Sequence, residues 1–93
     1  MITPTVGRIM WYWPVKDQRG DQPLAAIVAH VWGNDMVNLC VFDQNGTPSS
    51  RTSVPIVQDG SPYIAGDSPY AEWMPYQKGQ AAKTEALEAQ AKS

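Results

Sequence analysis

The sequence predicts a mainly β fold: a small five-stranded, SH3-like barrel or strongly bent antiparallel sheet, followed by a C-terminal helix. Short runs rich in β-branched and aromatic residues indicate the strands, and Gly, Asn and Asp clusters between them indicate tight turns. The last residues are rich in Ala, Glu, Lys and Gln, which favours a helix. A chain of 93 residues suits one domain. We assign residues 1–78 to the β domain and 79–93 to a helical or frayed tail.

Local composition and neighbouring turn residues define each strand. The five predicted strands span residues 6–13, 24–32, 36–42, 50–57 and 71–74. Residues 33–35 (Gly-Asn-Asp) and 43–46 (Asp-Gln-Asn-Gly) tolerate the positive φ of hairpin turns, so strands two to four should form a meander. Pro55 removes one backbone donor from the fourth strand, which predicts a sheet edge or a bulge there.

Two segments after the meander have distinct compositions. Residues 59–69 contain two Gly and two Pro, which predicts a long irregular loop of the kind that is often functional. The tail from Gly79 has an apolar face made almost entirely of alanine, with Leu87 added. An isolated helix of this length is marginal in water, so the tail should be frayed or packed against another surface, such as a neighbouring subunit.

Composition narrows the class of protein. The net charge of −2 and pI of about 5.1 argue against a nucleic-acid-binding protein, which usually carries a basic patch. A single cysteine, Cys40, cannot form an internal disulfide and suits a reducing cytoplasm. The sequence has neither a signal-like start nor an apolar run that could span a bilayer, so we expect a cytoplasmic protein with no membrane partner.

The sequence gives little indication of a catalytic or metal-binding site. His30 is the one histidine, and a single histidine in an apolar strand is more often structural than catalytic. The sequence lacks CxxC, HxxxH and glycine-rich phosphate motifs, and most aspartates occupy turn positions. We therefore predict no catalytic residue, no metal site and no cofactor, and a protein that binds without turnover.

The two-residue period of the strands divides the central hairpin into two faces. The predicted core face comprises Ile27, Ala29, Val31, Val37, Leu39 and Val41. The opposite face mixes apolar, imidazole and amide groups: Val28, His30, Trp32, Asn38, Cys40 and Phe42. Such a mixture is typical of a concave binding surface. The alternative is that Trp11 and Trp13 of the first strand cover this face, making it core.

Residues 71–80 (AEWMPYQKGQ) are a second segment rich in side chains that could bind a ligand. Pro75 fixes the backbone between Trp73 and Tyr76, whose rings could stack on a flat heterocycle. Gly79 before the predicted helix would leave backbone amides open to an anion. The alternative is a plug, in which Trp73 closes the end of the barrel and Tyr76 leads into the tail.

Arg51-Thr52-Ser53 is a third feature of the sequence. The Arg51 guanidinium could bind a phosphate or carboxylate through two parallel hydrogen bonds, with Thr52 or Ser53 adding a hydroxyl contact. The alternative is a solvated arginine, as most single arginines on small proteins are.

Three segments carry a resemblance to a known group of proteins: TPTVGRIMWYW, QPLAAIVAHVW…VNLCVFD..G and RTSV…EWMPYQKGQAAK. Together they resemble a family of small phage-encoded hypothetical proteins, with a TVGR-like start, a VNLxVF strand, a D-x-x-G turn and a late tryptophan motif. The resemblance spans most of residues 3–83. The chain is also similar in kind to phage anti-defence sponges, compact homo-oligomers that sequester nucleotide immune signals without cleaving them.

The resemblance implies capture of a small nucleotide-like ligand, a cyclic ADP-ribose variant or a cyclic dinucleotide, by a homo-oligomer in the host cytoplasm. Chemistry selects the candidate ligand-binding residues, which are Trp11, Trp13, His30, Trp32, Arg51, Ser53, Trp73, Tyr76 and Gln77. Two other functions stay open: an SH3-like adaptor that docks a host or phage protein, and a minor virion or assembly factor.

Overall fold

The computed structural model describes residues 2–59 and 66–92 and confirms the predicted fold class. Five strands close into a barrel in chain order, and β5 returns to pair with β1. The pairing of β4 with β5 is parallel, whereas the other four pairings are antiparallel. The elements are β1 (Ile9–Trp13), β2 (Leu24–Gly33), β3 (Met36–Phe42), β4 (Pro48–Val57), β5 (Tyr70–Glu72) and α1 (Pro75–Lys92), with a 3-10 turn at Lys16–Gln18.

The hairpin turns form where the sequence predicts them. The turn between β3 and β4 is closed by a 2.9 Å hydrogen bond from the Gly46 N–H to the Asp43 carbonyl, and Gly46 takes the positive φ of 85°. The Asp43 carboxylate accepts from the N–H groups of Asn45 and Thr47, at 2.8 and 2.9 Å. This local hydrogen bonding explains why Asp and Gly suit these positions. The predicted loop at 59–69 lies largely outside the described residues.

The barrel interior is filled by residues from all five strands and by Trp73, which follows β5. The buried apolar set is Met10, Tyr12, Ala26, Val28, Val37, Leu39, Val41, Val54, Ile56, Ala71 and Trp73. The predicted core positions on β3 are confirmed. On β2 the prediction of Ile27 and Ala29 is wrong, because both are exposed.

A β-bulge explains the error on β2. Val28 pairs with Leu39 and His30 pairs with Asn38, so two steps along β2 match one step along β3. Ala29 is the extra residue, and it changes which alternating positions face the core. Val28 is therefore buried on one side of the bulge, while Val31 packs against the core on the other.

The C-terminal helix begins at Pro75, four residues before the predicted start at Gly79. Proline is favoured at the first helical position, where its missing N–H is not needed. The Gln77 side-chain carbonyl accepts the Met74 N–H at 2.9 Å, which satisfies the backbone at the helix start. Gly79 consequently lies inside the helix, so the predicted anion site on backbone amides after Gly79 is wrong. Within the described part of the chain, no helix is long and apolar enough to cross a membrane.

Candidate functional site

Trp73 belongs to the core and not to an exposed aromatic surface. Its side chain is 1 % exposed and is the largest fully buried side chain in the described structure. The Arg8 guanidinium lies 5.5 Å from its ring centroid. Because Trp73 has no exposed ring face on which a ligand could stack, the predicted stacking role is wrong, and the buried position agrees with the alternative in which Trp73 plugs the barrel.

A cleft opens where α1 leaves the barrel, and we call it the Tyr76 cleft. Its volume is about 520 Å³, and its lining residues are Ile2, Arg8, Tyr76, Gln77, Gln80, Ala81 and Thr84. Tyr76, Gln80 and Thr84 are spaced four residues apart and therefore share one face of the helix. The Tyr76 side chain is 73 % exposed, so this cleft offers an open aromatic ring beside polar groups.

The charge in the Tyr76 cleft comes from Arg8, just before β1. Its described contacts are the Thr3 carbonyl, at 3.5 Å, and the Trp73 ring. Neither of these two contacts neutralises the charge of the guanidinium. A guanidinium held near an aromatic ring can still present its N–H groups to a carboxylate or phosphate.

Gln77 fixes the helix against the barrel at the base of this cleft. Its side-chain amide donates to the Ile9 carbonyl at 2.8 Å, while its carbonyl oxygen accepts the Met74 N–H. Both polar atoms of the amide group are therefore used within the protein. Gln77 holds the helix start in place and so fixes the backbone from which Tyr76 projects.

A second, smaller cleft adjoins the first, and we call it the Lys78 cleft. Its volume is about 190 Å³, and it is lined by Ile2, Gln58, Asp59, Trp73, Lys78, Ala81 and Ala82. Ile2 and Ala81 line both clefts. The Gln58 amide exchanges two hydrogen bonds with the backbone of Ile2, at 2.9 and 3.1 Å, which pins the N-terminal segment between them.

His30, Trp32 and Ser53 lie on the outer face of the barrel around Asn38. The Asn38 side-chain oxygen accepts the Trp32 indole N–H at 2.9 Å and the Ser53 backbone N–H at 2.8 Å. Ser53 has a positive φ of 53°, and the register between β3 and β4 shifts beside it. The His30 and Trp32 rings meet edge to face, with centroids 4.5 Å apart. This cluster orients a tryptophan that is 62 % exposed.

We expect Asn38→Ala to lower the free energy of unfolding by about 1–2 kcal/mol, since two donors lose one shared acceptor. Asn38→Asp keeps the acceptor oxygens and should stay within about 0.5 kcal/mol of wild type. Urea denaturation measures both values. Equal destabilisation by the two variants would show that the acceptor oxygen is not what stabilises this part of the sheet.

Trp11 and Trp13 lie on another part of the outer surface, along β1. Both are half-buried, and the Trp13 indole N–H donates to the Glu72 carboxylate at 3.0 Å. Tyr70 is the β5 partner of Trp13. Burial raises the pKa of the Tyr70 phenol, and the Glu72 carboxylate raises it further, whereas Arg19 acts in the opposite direction. The alternative in which these tryptophans cover the His30 and Trp32 face is wrong, because Trp32 is open to solvent.

Arg51 is separate from the clefts. Its guanidinium lies 6.0 Å from the Tyr12 ring centroid and donates to the Ser49 hydroxyl and the Ser50 carbonyl. Arg51 pairs with Leu39, before the register shift between β3 and β4, and its guanidinium contacts residues of its own strand and of the core.

The predicted residues thus fall into several groups, and of the nine only Tyr76 and Gln77 line the Tyr76 cleft. Sequence reasoning did not select Arg8, Gln80 or Thr84 as ligand-binding residues, although Gln80 ends the 71–80 segment that it singled out. The four-residue spacing of Tyr76, Gln80 and Thr84 is a signal that could have placed the latter two on one helix face. Arg8 has no comparable signal, because its position depends on how the N-terminal segment folds back on the barrel.

Among the described side chains, no three of His, Cys, Asp or Glu come close enough together to hold a metal ion. No protein-family model matches the sequence, and comparisons with curated proteins and with solved structures give no match either. The chemistry of the clefts and surfaces is therefore the basis for a functional proposal.

Proposed function

We propose that this protein binds a flat, anionic ligand of the nucleotide type in the Tyr76 cleft and holds it without cleaving it. The observation that supports this most directly is an open aromatic ring and a guanidinium lining one concave cleft. In the phage setting that the sequence resemblance implies, the ligand is an immune signal, a cyclic ADP-ribose variant or a cyclic dinucleotide. A homo-oligomer in the host cytoplasm then sequesters it.

Each part of the cleft matches a part of such a ligand. The Tyr76 ring can stack on a base, an interaction that contributes about 1–3 kcal/mol per base in nucleic-acid complexes. Arg8 can pair with a phosphate, and the Gln80 and Thr84 side chains lie where they can bond to ribose hydroxyls or base edges. Ile2 and Ala81 supply the apolar walls that ligand sites usually have.

Direct binding tests the proposed site. In isothermal titration of the full chain with cyclic di-AMP and ADP-ribose, we expect Tyr76→Ala to weaken affinity about tenfold or more. Arg8→Gln should do the same through the lost charge-assisted bond. Trp32→Ala and Arg51→Gln are the matched controls, since they remove an exposed ring and a guanidinium outside the cleft. Loss of binding in the control pair with retention in the cleft pair would place the site elsewhere.

Capture without turnover is tested in the same samples. The nucleotide should disappear from the filtrate of a protein–ligand mixture and return chemically unchanged after heat denaturation. A return of altered nucleotide would mean that the protein is an enzyme, which contradicts sequestration.

A second candidate function is supported by Trp32. Trp32 is 62 % exposed and is oriented by a hydrogen bond, and tryptophan is enriched among the residues that contribute most to protein–protein binding. This supports the adaptor alternative, in which the outer face docks a host or phage protein. Stoichiometric co-purification of a protein partner that Trp32→Ala abolishes, without nucleotide binding by the wild type, would favour it over sequestration.

A further inference from the structure

The indole N–H of Trp73 is a buried hydrogen-bond donor for which the described residues offer no acceptor. The side chain is 1 % exposed, and its Nε1 has no hydrogen-bond partner among the described residues. Buried polar groups in native proteins nearly always have a partner, so such a donor calls for an explanation. By contrast, the indole N–H groups of Trp13 and Trp32 each donate to a side chain.

The surroundings of Trp73 suggest what the donor is for. Trp73 lines the Lys78 cleft, where Lys78 contributes a positive charge and Asp59 a negative one. Gln58 also lines this cleft, but both atoms of its amide bond to the Ile2 backbone. Among the described side chains that line this cleft, the Trp73 N–H and the Lys78 ammonium are the donors with no described acceptor, and both suit an oxygen acceptor that carries negative charge.

The Lys78 cleft lies beside the Tyr76 cleft. The two share Ile2 and Ala81 as walls, so a ligand in one lies next to the other. Among the described lining residues, Arg8 is the cation of the first cleft and Lys78 the cation of the second. A ligand with two phosphates, either joined as a pyrophosphate or on separate linkages, could therefore place one in each cleft.

We propose that the Lys78 cleft is a second phosphate subsite, in which a phosphate oxygen accepts from the Trp73 indole N–H and pairs with Lys78. This rests on the proposed function and deepens it, because it selects two-phosphate nucleotides over those with one phosphate. Asp59 opposes the incoming charge and limits affinity at this subsite. The Trp73 Nε1 is buried in the structure, so the phosphate oxygen reaches it when side chains that border the cleft move aside, while the indole ring remains part of the core.

The test compares cyclic di-AMP and ADP-ribose with cyclic AMP on the full chain by isothermal titration. The wild type should bind at least one two-phosphate probe more tightly than cyclic AMP. Lys78→Gln should lower the affinity for that two-phosphate probe about tenfold and leave the affinity for cyclic AMP unchanged. Asp59→Asn should raise the affinity for the same probe severalfold, since it removes a negative charge that repels the phosphate. Lys83→Gln makes the same charge change as Lys78→Gln at an exposed helix position that lines neither cleft, and it should have no effect.

The indole N–H signals report on Trp73 without any substitution at that position. In ¹H–¹⁵N spectra of the wild type, the Trp73 signal should shift with a two-phosphate probe and stay in place with cyclic AMP. An unmoved Trp73 signal, or equal effects of Lys78→Gln on all probes that bind, would overturn the second subsite and leave the proposed function intact. Failure of the wild type to bind any of the three probes would overturn both.

Discussion

Trp73→Ala is expected to lower the free energy of unfolding by about 3–5 kcal/mol, the usual cost of deleting a large buried aromatic side chain. Trp73 is 1 % exposed and belongs to a core cluster that includes residues of every strand. The other core side chains are mostly valine and alanine, which are too small to fill the space that the indole leaves. Because small domains have about 5–15 kcal/mol of stability in total, this one change removes a large part of it. Thermal and urea denaturation measure the loss.

Trp32→Ala is the matched control for Trp73→Ala. It deletes the same side chain at a position that is 62 % exposed, so we expect a loss below about 1 kcal/mol. Trp73→Phe should lie between the two, since it retains most of the buried ring. Similar losses at positions 73 and 32 would contradict the division between a core tryptophan and a surface tryptophan.

The parts of the fold that sequence predicts well are those fixed by local interactions. The bounds of β3 are predicted correctly because both its ends meet turn residues, and Gly46 and Asp43 make the bonds that close one of those turns. Its core face is also correct, since β3 alternates regularly. The helix start is missed, although Pro75 and Gln77 at its first and third positions are a recognisable start signal.

The candidate site is harder to predict, because it forms from segments far apart in the chain. Tyr76 stands out in the sequence as an aromatic residue next to proline, and it does line the cleft. Arg8 lines the same cleft because the N-terminal segment folds back on the barrel. Gln58, which directly follows β4, holds that segment through two hydrogen bonds to the Ile2 backbone. Trp73 has the same composition signal as Tyr76, yet it lies one residue after β5 and points into the core. Local composition cannot show which of these two aromatic residues is buried. Their burial depends on how the strands close into the barrel.

Ligand capture and stability are linked in this architecture. Both clefts lie where α1 meets the barrel, and Gln77 is a described side-chain link between helix and strand. A ligand held between the two would stabilise the native state by RT ln(1 + [L]/Kd), or about 2.7 kcal/mol at one hundred times Kd. For a small barrel this amount is large, so a thermal-shift screen of nucleotides suits the search for the natural ligand.

Val28→Asp should unfold the protein or lower its free energy of unfolding by more than about 4 kcal/mol, because it buries a carboxylate without a partner. Val28 is 1 % exposed, and its strand neighbour Ile27 is 36 % exposed. Ile27→Asp makes the same chemical change on the outer face and should cost less than about 1.5 kcal/mol. Circular dichroism during urea denaturation compares the two.

This pair of variants tests the bulge itself. Simple alternation through Val31 places Ile27 in the core and Val28 outside, whereas the extra residue at Ala29 reverses that assignment for the first half of β2. The two arrangements thus predict opposite orders of stability for Val28→Asp and Ile27→Asp. If Ile27→Asp proved the more damaging change, β2 would lack the bulge, and the register that places His30 beside Asn38 would be wrong as well. The order of the two losses therefore decides both the core of the barrel and the geometry of its exposed Trp32 face.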